Sequence, residues 1–322
     1  MNTSEAVFVV GAGRSGTTWL HLMLGAHPLV ATGQESQLFN NYLRKLDDQW
    51  HRELRYPETD KLRKHGITSF IDEERFIDLL RQFAISVFEG VMVAKPGATT
   101  FLEKSPNNSF NIDLIFKCFP DARFVHMIRD GRDVASSMLA AKSSWGRQWA
   151  PDHGLEAGLE WVEAVSESRR LRDMTDRYIE VRYEDLLSNG CDTLGNLYDF
   201  LGLPCTGEEV AQIYDRFSFK KLKENNYSRD VFLNPGVAKA SGTEYRPEPK
   251  GFFRKGVAGD WKSSLSETQL AEVYWAAGEL LAELSYTDQN LTPLNTPGSI
   301  RRREIVSRTK EELKKLGSRI LS

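Results

Sequence analysis

The sequence predicts an α/β fold in which a central parallel sheet is flanked by helices on both faces. Residues 7–10 (VFVV) and 123–129 (RFVHMIR) have the composition of strands that are buried on both faces. Residues 178–187 (YIEVRYEDLL) predict a third strand that runs into the start of a helix. Segments with helical periodicity separate these strands, and this alternation is typical of a doubly wound sheet.

The other elements follow in chain order. A helix is predicted from about Thr17 to Ala26, where the sequence AHP ends it. Residues 38–88 are helical in pattern and rich in charge, a further helix begins near Asp133, and an amphipathic helix covers about 155–173. Residues 225–250 combine little periodicity with many Pro, Gly and Ser residues. That composition predicts a long surface loop, and loops of this length are often functional.

The chain has 322 residues, and we predict one domain over 1–296 followed by a basic amphipathic helix over 297–322. Pro297 and Gly298 at the start of this segment separate its helical pattern from the domain. The helix has two interpretations. It packs on the domain, or it makes a peripheral contact with a partner or an anionic membrane surface.

Composition excludes several classes of protein. With a formal net charge of −3, the protein as a whole does not attract nucleic acid. Any anion-binding site must therefore arise from a local group of positive charges. The 3 cysteines have no paired spacing, which argues against a disulfide scaffold and fits a reducing compartment. The first residues lack the basic and long apolar regions of a signal peptide, and no apolar run reaches the roughly 18 residues of a membrane-spanning helix. These features predict a cytoplasmic protein.

The turn after the first strand allows three interpretations. Gly11, Gly13 and Gly16 form the GxGxxG pattern of a dinucleotide site, and Glu35 stands about 20 residues further on, where a ribose-binding acid is expected. The spacing of Gly11 and Gly16 also matches a P-loop, but Thr17 stands where the P-loop lysine is required.

A third interpretation uses every residue of the turn to bind an anion without a metal. Arg14 supplies a fixed positive charge, and Thr17 and Thr18 supply hydroxyls at the start of a helix. The strand 123–129 ends in Arg129, whereas a nucleoside triphosphate with Mg²⁺ would require an acid there. The chain therefore has two strand-to-helix turns, each with an arginine and hydroxyls.

Three motifs in the same order resemble those of sulfotransferases that use 3′-phosphoadenylyl sulfate (PAPS) as the donor. Residues 13–19 (GRSGTTW) resemble the 5′-phosphosulfate loop, and residues 129–137 (RDGRDVASS) resemble the 3′-phosphate motif. Residues 252–262 (FFRKGVAGDWK) are similar to the RKGxxGxxK segment of the cytosolic members. Residues 181–187 (VRYEDLL) are a weaker match.

The resemblance implies a P-loop-like three-layer fold, PAPS as the donor, 3′-phosphoadenosine 5′-phosphate (PAP) as the product, and no metal. PAPS carries two anionic groups, which agrees with the two turns. In this sequence the resemblance places the donor-binding residues at Arg14, Ser15, Gly16, Thr17, Thr18, Trp19, Arg129, Ser137, Tyr183, Phe252, Arg254, Lys255 and Gly256.

The resemblance also implies the catalytic residues. Cytosolic members that act on small phenols and steroids use a histidine in a KTHLP-like segment, but the corresponding LEKSPNN has none. Residues 26–39 (AHPLVATGQESQLF) instead resemble a segment of the tyrosylprotein sulfotransferases, whose catalytic carboxylate falls on Glu35. This implies Glu35 as the general base and Lys104, after a strand, as a second cation on the transferring group. Arg14 would act by charge alone, because a guanidinium does not deprotonate at neutral pH.

The function implied is sulfuryl transfer to a hydroxyl or amine of a glycan, lipid or small molecule. Glu35 and the EKSP segment favour glycan or protein acceptors, whereas the FRKGVAGDWK segment and the predicted location favour small molecules or lipids. The acceptor site is predicted within residues 36–60, 140–153 and 225–250, whose aromatic residues include Trp50, Tyr56, Trp145, Trp149, Tyr227 and Phe232. Two alternatives are a P-loop kinase that requires ATP with Mg²⁺ and a non-catalytic module that binds PAP without turnover.

Overall fold

The computed structural model describes residues 5–55, 66–223, 231–233, 248–249 and 251–287. The chain divides into two compact units. The first contains Met1–Arg129 and Glu163–Val257, and the second contains Asp130–Val162 and Ala258–Ser322. The proposed extent of one domain over 1–296 stays a prediction, and the predicted helix 297–322 lies outside the described residues.

A five-stranded parallel sheet forms the centre of the first unit. Its strand order is β2-β3-β1-β4-β5. The strands are β1 (Ala6–Val10), β2 (Val30–Thr32), β3 (Thr100–Lys104), β4 (Arg123–Ile128) and β5 (Tyr178–Arg182). This sheet with its flanking helices confirms the predicted fold class. Because all strands are parallel, the loop after β1, Lys104 at the end of β3 and Arg129 after β4 come to the same edge.

Helices connect and cover the strands. In chain order they are α1 (Thr17–Gly25), α2 (Arg44–Leu54), α3 (Glu73–Val93), α4 (Ile112–Cys118), α5 (Gly131–Lys142), α6 (Gly154–Arg169), α7 (Leu171–Met174), α8 (Tyr183–Ser188), α9 (Gly190–Leu201), α10 (Gly207–Arg216), α11 (Phe219–Lys223), α12 (Trp261–Ser264) and α13 (Glu267–Glu283). A π-helical turn covers Phe39–Leu43, and 3₁₀ turns cover Ile67–Ser69 and Pro106–Asn111.

The first unit has an apolar core on each face of the sheet. Val7 and Val9 of β1 belong to one core and Phe8 and Val10 to the other, because successive side chains of a strand point to opposite faces. All five β1 residues are buried, which explains why this strand is apolar throughout.

The predicted elements match the structure with small differences. The predicted helix 17–26 is α1, and the helix expected near Asp133 is α5, which begins at Gly131 after Asp130 caps it. The helix predicted over 155–173 is divided into α6 and α7. Strand β2 was not predicted, because three residues carry too little periodicity to identify a strand. Most of the predicted loop 225–250 lies outside the described residues.

The second unit is organised around the start of α5. The carboxylate of Asp133 accepts hydrogen bonds from the backbone N–H groups of Gly259 (2.7 Å) and Trp261 (2.9 Å). The Arg132 guanidinium lies 4.0 Å above the ring of Trp261 and donates to the Tyr274 hydroxyl (2.8 Å). Sequence analysis did not identify these contacts, which join the RDGRD motif to the GDW residues of the third motif.

In the part of the chain that the structure describes, we find no helix that is both long and apolar enough to span a membrane.

Candidate functional site

The loop between β1 and α1 has a strained backbone that fits an anion. Gly11, Arg14 and Gly16 all have positive φ angles, of 144°, 70° and 96°. A Cβ at Gly16 would lie 2.6 Å from the ring of Tyr183, so this position accepts glycine alone. A positive φ at a non-glycine residue such as Arg14 costs free energy, and such residues cluster at functional sites.

One hydroxyl in the same loop is buried without a hydrogen-bond partner among the described residues. The Ser15 hydroxyl is fully buried and has no hydrogen-bond partner in this part of the chain. No side chain caps the N-terminus of α1, where Thr17 and Thr18 are buried. Since an unpaired buried hydroxyl and uncapped N–H groups are unfavourable, this loop is suited to a phosphate-like group.

The Arg14 side chain contacts the third motif. Its guanidinium donates to the carbonyl oxygen of Phe252 (2.6 Å) and lies 4.2 Å from the centre of the Phe252 ring. Burial, with a smaller contribution from Arg129 and Arg254, lowers the pKa of Arg14 to about 10, while Glu248 opposes this shift. Arg14 is therefore still protonated at neutral pH and can stabilise negative charge.

Arg129 lies between two predicted binding segments. Its guanidinium donates to the carbonyl oxygens of Arg14 (3.3 Å) and Val257 (3.1 Å), and it lies 4.2 Å from the centre of the Tyr183 ring. The structure thus brings together Arg14, Arg129, Tyr183 and the 252–257 segment, as sequence analysis expected for a donor site. Their roles in binding the donor stay predictions.

The remaining residues of the third motif border this cluster. Arg254 is half-buried and Lys255 is exposed. Gly256 has a φ of 69°, and a Cβ there would collide with the ring of Phe219, so the motif requires glycine at this position.

Two other residues predicted to bind the donor, Trp19 and Ser137, have surroundings of their own. Trp19 is 2% exposed, and its indole N–H donates to the carbonyl oxygen of Phe217 (2.9 Å). Its ring packs on Tyr183 and Phe219 as a core side chain does, and its stacking on adenine stays a prediction. Ser137 is buried in α5 of the second unit, and its role also stays a prediction.

Lys104 connects residues 11–18, which we call the donor loop, to the predicted base. Its side chain is 1% exposed, and its ammonium donates to the Thr18 hydroxyl (2.9 Å) and forms an ion pair with Glu35. Glu35, by contrast, is 36% exposed and accepts a second hydrogen bond from Gln37 (3.3 Å). The register of the sheet explains the first contact, since Lys104 pairs with Val9 immediately before the loop.

The charge of Lys104 acts on two further ionisable groups, His21 and Glu248. Burial, and then the charge of Lys104, lowers the pKa of His21 well below its ordinary value, so this histidine is neutral. Its Nε2 atom lies 2.5 Å from the Thr32 hydroxyl, and its ring packs on Phe232. Burial raises the pKa of Glu248, against the charges of Lys104 and Arg14. Sequence analysis did not identify Glu248. The sequence signal that was available is the position of this acid just before the third motif.

The predicted acceptor residues have mixed outcomes. The prediction was wrong for Trp50, which is buried and stacked on Phe76 with ring centres 4.5 Å apart. Phe232 is buried beside His21. The rings of Trp145 and Trp149 lie 5.4 Å apart in the second unit. Tyr56 and Tyr227 lie outside the described residues.

The arrangement supports transfer of an anionic group. Lys104 contacts both the hydroxyl of Thr18 and the exposed carboxylate of Glu35, and Arg14 supplies a second cation from within the loop. Among the described residues, the buried Ser15 hydroxyl has no hydrogen-bond partner, so this loop can accept an anionic group. Transfer of such a group requires an anchored leaving group, charge stabilisation and an accessible base. The roles of Arg14, Lys104 and Glu35 in these steps stay predictions.

Comparisons with known proteins find similarity to sulfotransferases. Residues 6–207 match the model of the sulfotransferase family. The chain is 27% identical over 201 residues to protein-tyrosine sulfotransferase 1 of Danio rerio, covering 62% of this chain and 53% of that protein. It is 24% identical over 327 residues to protein-tyrosine sulfotransferase A of Caenorhabditis elegans, covering 98% and 75%. The chain thus spans about half the length of the first of these relatives.

A solved structure shows the same fold. The mouse sulfotransferase SULT7A1, crystallised with PAP, superposes with a TM-score of 0.53 at 17% identity, over 88% of this chain and 86% of that chain. At this level of identity the likeness concerns the fold alone.

Proposed function

The chain belongs to the sulfotransferase family, and from this premise we propose that it transfers a sulfuryl group from PAPS to an acceptor hydroxyl and releases PAP. The observation that carries the proposal is the position of Lys104 between Thr18 of the donor loop and Glu35. The buried ammonium contacts both the donor loop and the proposed base.

The reaction needs three contributions from this chain. Glu35 takes the proton of the acceptor hydroxyl as the acceptor oxygen bonds to sulfur, and the bond between sulfur and the 5′-phosphate oxygen breaks in line. Lys104 stabilises the sulfuryl oxygens, and Arg14 stabilises the bridging oxygen of the leaving phosphate. The proton passes from Glu35 to solvent, which its exposure permits. The residues of the loop and Arg129 hold the two anionic groups of the nucleotide.

The second carboxyl of the region, Glu248, offers a direct test of the base. Substitution of the true base lowers kcat at every pH, whereas substitution of a neighbouring acid changes the pH profile with a smaller loss of kcat. We therefore compare Glu35→Gln with Glu248→Gln, and we expect Glu35→Gln to lose about 10²-fold or more in kcat.

We propose the hydroxyl of a tyrosine residue as the first acceptor to examine. The names of the relatives support this choice. Glycan, lipid and small-molecule hydroxyls remain the alternatives that the sequence favoured. The cytoplasmic location also stays a prediction, and cell fractionation checks it.

Calorimetric titration with PAP in the presence of EDTA tests the donor site. We expect the wild type to bind PAP, and Arg129→Ala to bind it about 10- to 100-fold more weakly, because charge-assisted hydrogen bonds contribute about 1.5–3 kcal/mol each. Arg172→Ala is the matched control, since this arginine of the same unit pairs with Glu180. Binding that occurs for ATP with Mg²⁺ and not for PAP would refute the proposal and favour a kinase.

An acceptor screen with ³⁵S-labelled PAPS then tests transfer. Label in a tyrosine peptide supports the proposed acceptor, and label in a glycan, lipid or phenol identifies the alternative. PAP binding without transfer to any acceptor would identify a non-catalytic binding module.

A further inference from the structure

Glu103 is a buried acid that sequence analysis did not identify as functional. It precedes Lys104 in β3, is 3% exposed, and points to the opposite face of the sheet. Its carboxylate accepts hydrogen bonds from the hydroxyls of Ser105 (2.7 Å) and Ser36 (2.8 Å) and from the side-chain amide of Asn108. We call these four residues the polar latch.

The polar latch fixes the loop that carries Glu35. Ser36 is the next residue after Glu35, and its hydroxyl also accepts from the N–H of Leu38 (3.2 Å). The N–H of Gln37, which has a φ of 50°, donates to the Ser105 hydroxyl (3.0 Å). The three residues after Glu35 are thus held by hydrogen bonds that converge on Glu103.

The 3₁₀ turn that contains Asn108 also holds the donor loop. Asn108 and Ser109 are neighbours in the 3₁₀ turn Pro106–Asn111. The Ser109 hydroxyl accepts from the backbone N–H of Gly11 (2.9 Å), at the start of the donor loop. This 3₁₀ turn therefore bonds through Asn108 to Glu103, which holds the loop of the base, and through Ser109 to the donor loop.

The donor and acceptor pattern of the polar latch requires a carboxylate. All three neighbours donate to Glu103, and they share its two oxygens. Burial raises the pKa of Glu103, while these three hydrogen bonds act to lower it. A glutamine has a single acceptor oxygen, and its NH₂ group would face the NH₂ group of Asn108 or a serine hydroxyl.

We propose that Glu103 is a positioning residue for sulfuryl transfer, which holds Glu35 in register with Lys104 and the donor loop. The inference rests on the proposed function. Glu35 lies in a loop and is exposed, so its position depends on the backbone of the residues that follow it as well as on its ion pair with Lys104. Displacement of a reacting group by 1 Å can cost about 10²-fold in rate, so the latch has kinetic consequences without touching the substrate.

The test compares Glu103→Gln with the double variant Glu103→Gln/Asn108→Asp. With the Asn108 amide oriented as in the structure, the single variant places donors against donors, whereas the double variant restores one carboxylate and a complementary donor with almost unchanged shapes. Glu272→Gln is the matched control, because Glu272 is equally buried and accepts from the N–H of Gly154 (3.0 Å) in the second unit. Any general effect of removing a buried carboxylate appears in this control as well.

Two measurements are made on each variant, one of hydrogen exchange and one of sulfuryl transfer. Hydrogen exchange of the peptide covering residues 33–39 reports on the loop directly and needs no substrate. In Glu103→Gln we expect the amides of Gln37 and Leu38 to exchange roughly tenfold faster or more. We expect kcat for transfer from ³⁵S-labelled PAPS to fall about 10- to 100-fold, while the Kd for PAP changes by less than about twofold, since Ser109 still holds Gly11. The double variant should recover both measurements to a large extent.

The outcomes separate this inference from the proposed function. Unchanged exchange in Glu103→Gln, faster exchange with an unchanged kcat, or an equal loss of kcat in Glu272→Gln would each overturn the positioning role. A double variant no better than the single variant would do the same. If the wild type transfers no sulfuryl group at all, the proposed function fails, and exchange alone then decides whether Glu103 holds the loop.

Discussion

Replacement of Lys104 by methionine separates the catalytic role of this residue from a structural role. The ammonium of Lys104 is 1% exposed, bonds to Thr18 at 2.9 Å and pairs with Glu35. Methionine has a similar length and fills the same apolar space, so Lys104→Met removes the charge and the hydrogen bonds while it keeps the packing.

The expected effect on catalysis is large. A unit charge about 4 Å from the developing charge contributes up to about 4 kcal/mol at an effective dielectric constant of roughly 20. Removal of one preorganised donor to a transition state typically costs about 10²–10³ in kcat, or about 2.7–4 kcal/mol. We therefore expect Lys104→Met to lower kcat by about 10²–10³-fold.

The expected effect on stability is small. Loss of one partner of a buried ion pair is costly when the other charge is left buried. Glu35 is 36% exposed, so water solvates its carboxylate after the substitution. The free energy of unfolding should change by about 1 kcal/mol or less, because the desolvated ammonium is also removed.

Single-turnover transfer of ³⁵S from PAPS, measured beside urea unfolding, checks both expectations. Lys95→Met is a matched control, because this lysine of the same unit bonds to backbone oxygens of His27 (2.9 Å) and Val30 (2.6 Å), and not to Glu35. A loss of several kcal/mol in stability with an unchanged rate would show that Lys104 is structural and would refute the reasoning.

Two other substitutions have defined outcomes. Gly16→Ala places a Cβ 2.6 Å from the Tyr183 ring at a φ of 96°, so we expect a loss of about 2 kcal/mol in stability and weaker PAP binding. Gly195→Ala, in α9 with open space, should instead be neutral or stabilising, and thermal unfolding distinguishes the two. Burial lowers the pKa of His126 from 6.5 to about 3, so below pH 6.5 the unfolded chain binds a proton that the folded chain does not. Stability should therefore fall between pH 6.5 and 3, and His126→Phe should reduce the difference between pH 7 and pH 5 by about 2 kcal/mol in urea unfolding. An unchanged pH dependence in His126→Phe would contradict this assignment.

The sequence by itself determined the strands β1, β4 and β5, the starts of the helices that follow them and the donor loop. These features are local, because hydrophobic periodicity and the order of residues in a turn act over a few positions. Gly11, Arg14, Gly16 and the two threonines stand within eight residues, and their chemistry is readable from the order in which they occur. The third motif could be matched for the same reason.

The tertiary structure alone decided which distant side chains meet. Lys104 lies 69 residues from Glu35, and it contacts Glu35 and Thr18 because β3 lies beside β1 with Lys104 paired to Val9. Ser36 reaches Glu103 because β2 lies beside β3 with Thr32 paired to Leu102, and Trp50 is buried because it stacks on Phe76 of another helix. Strand order and register arise from the packing of the whole core. A local pattern therefore indicates which residues carry chemistry, but it does not specify their partners.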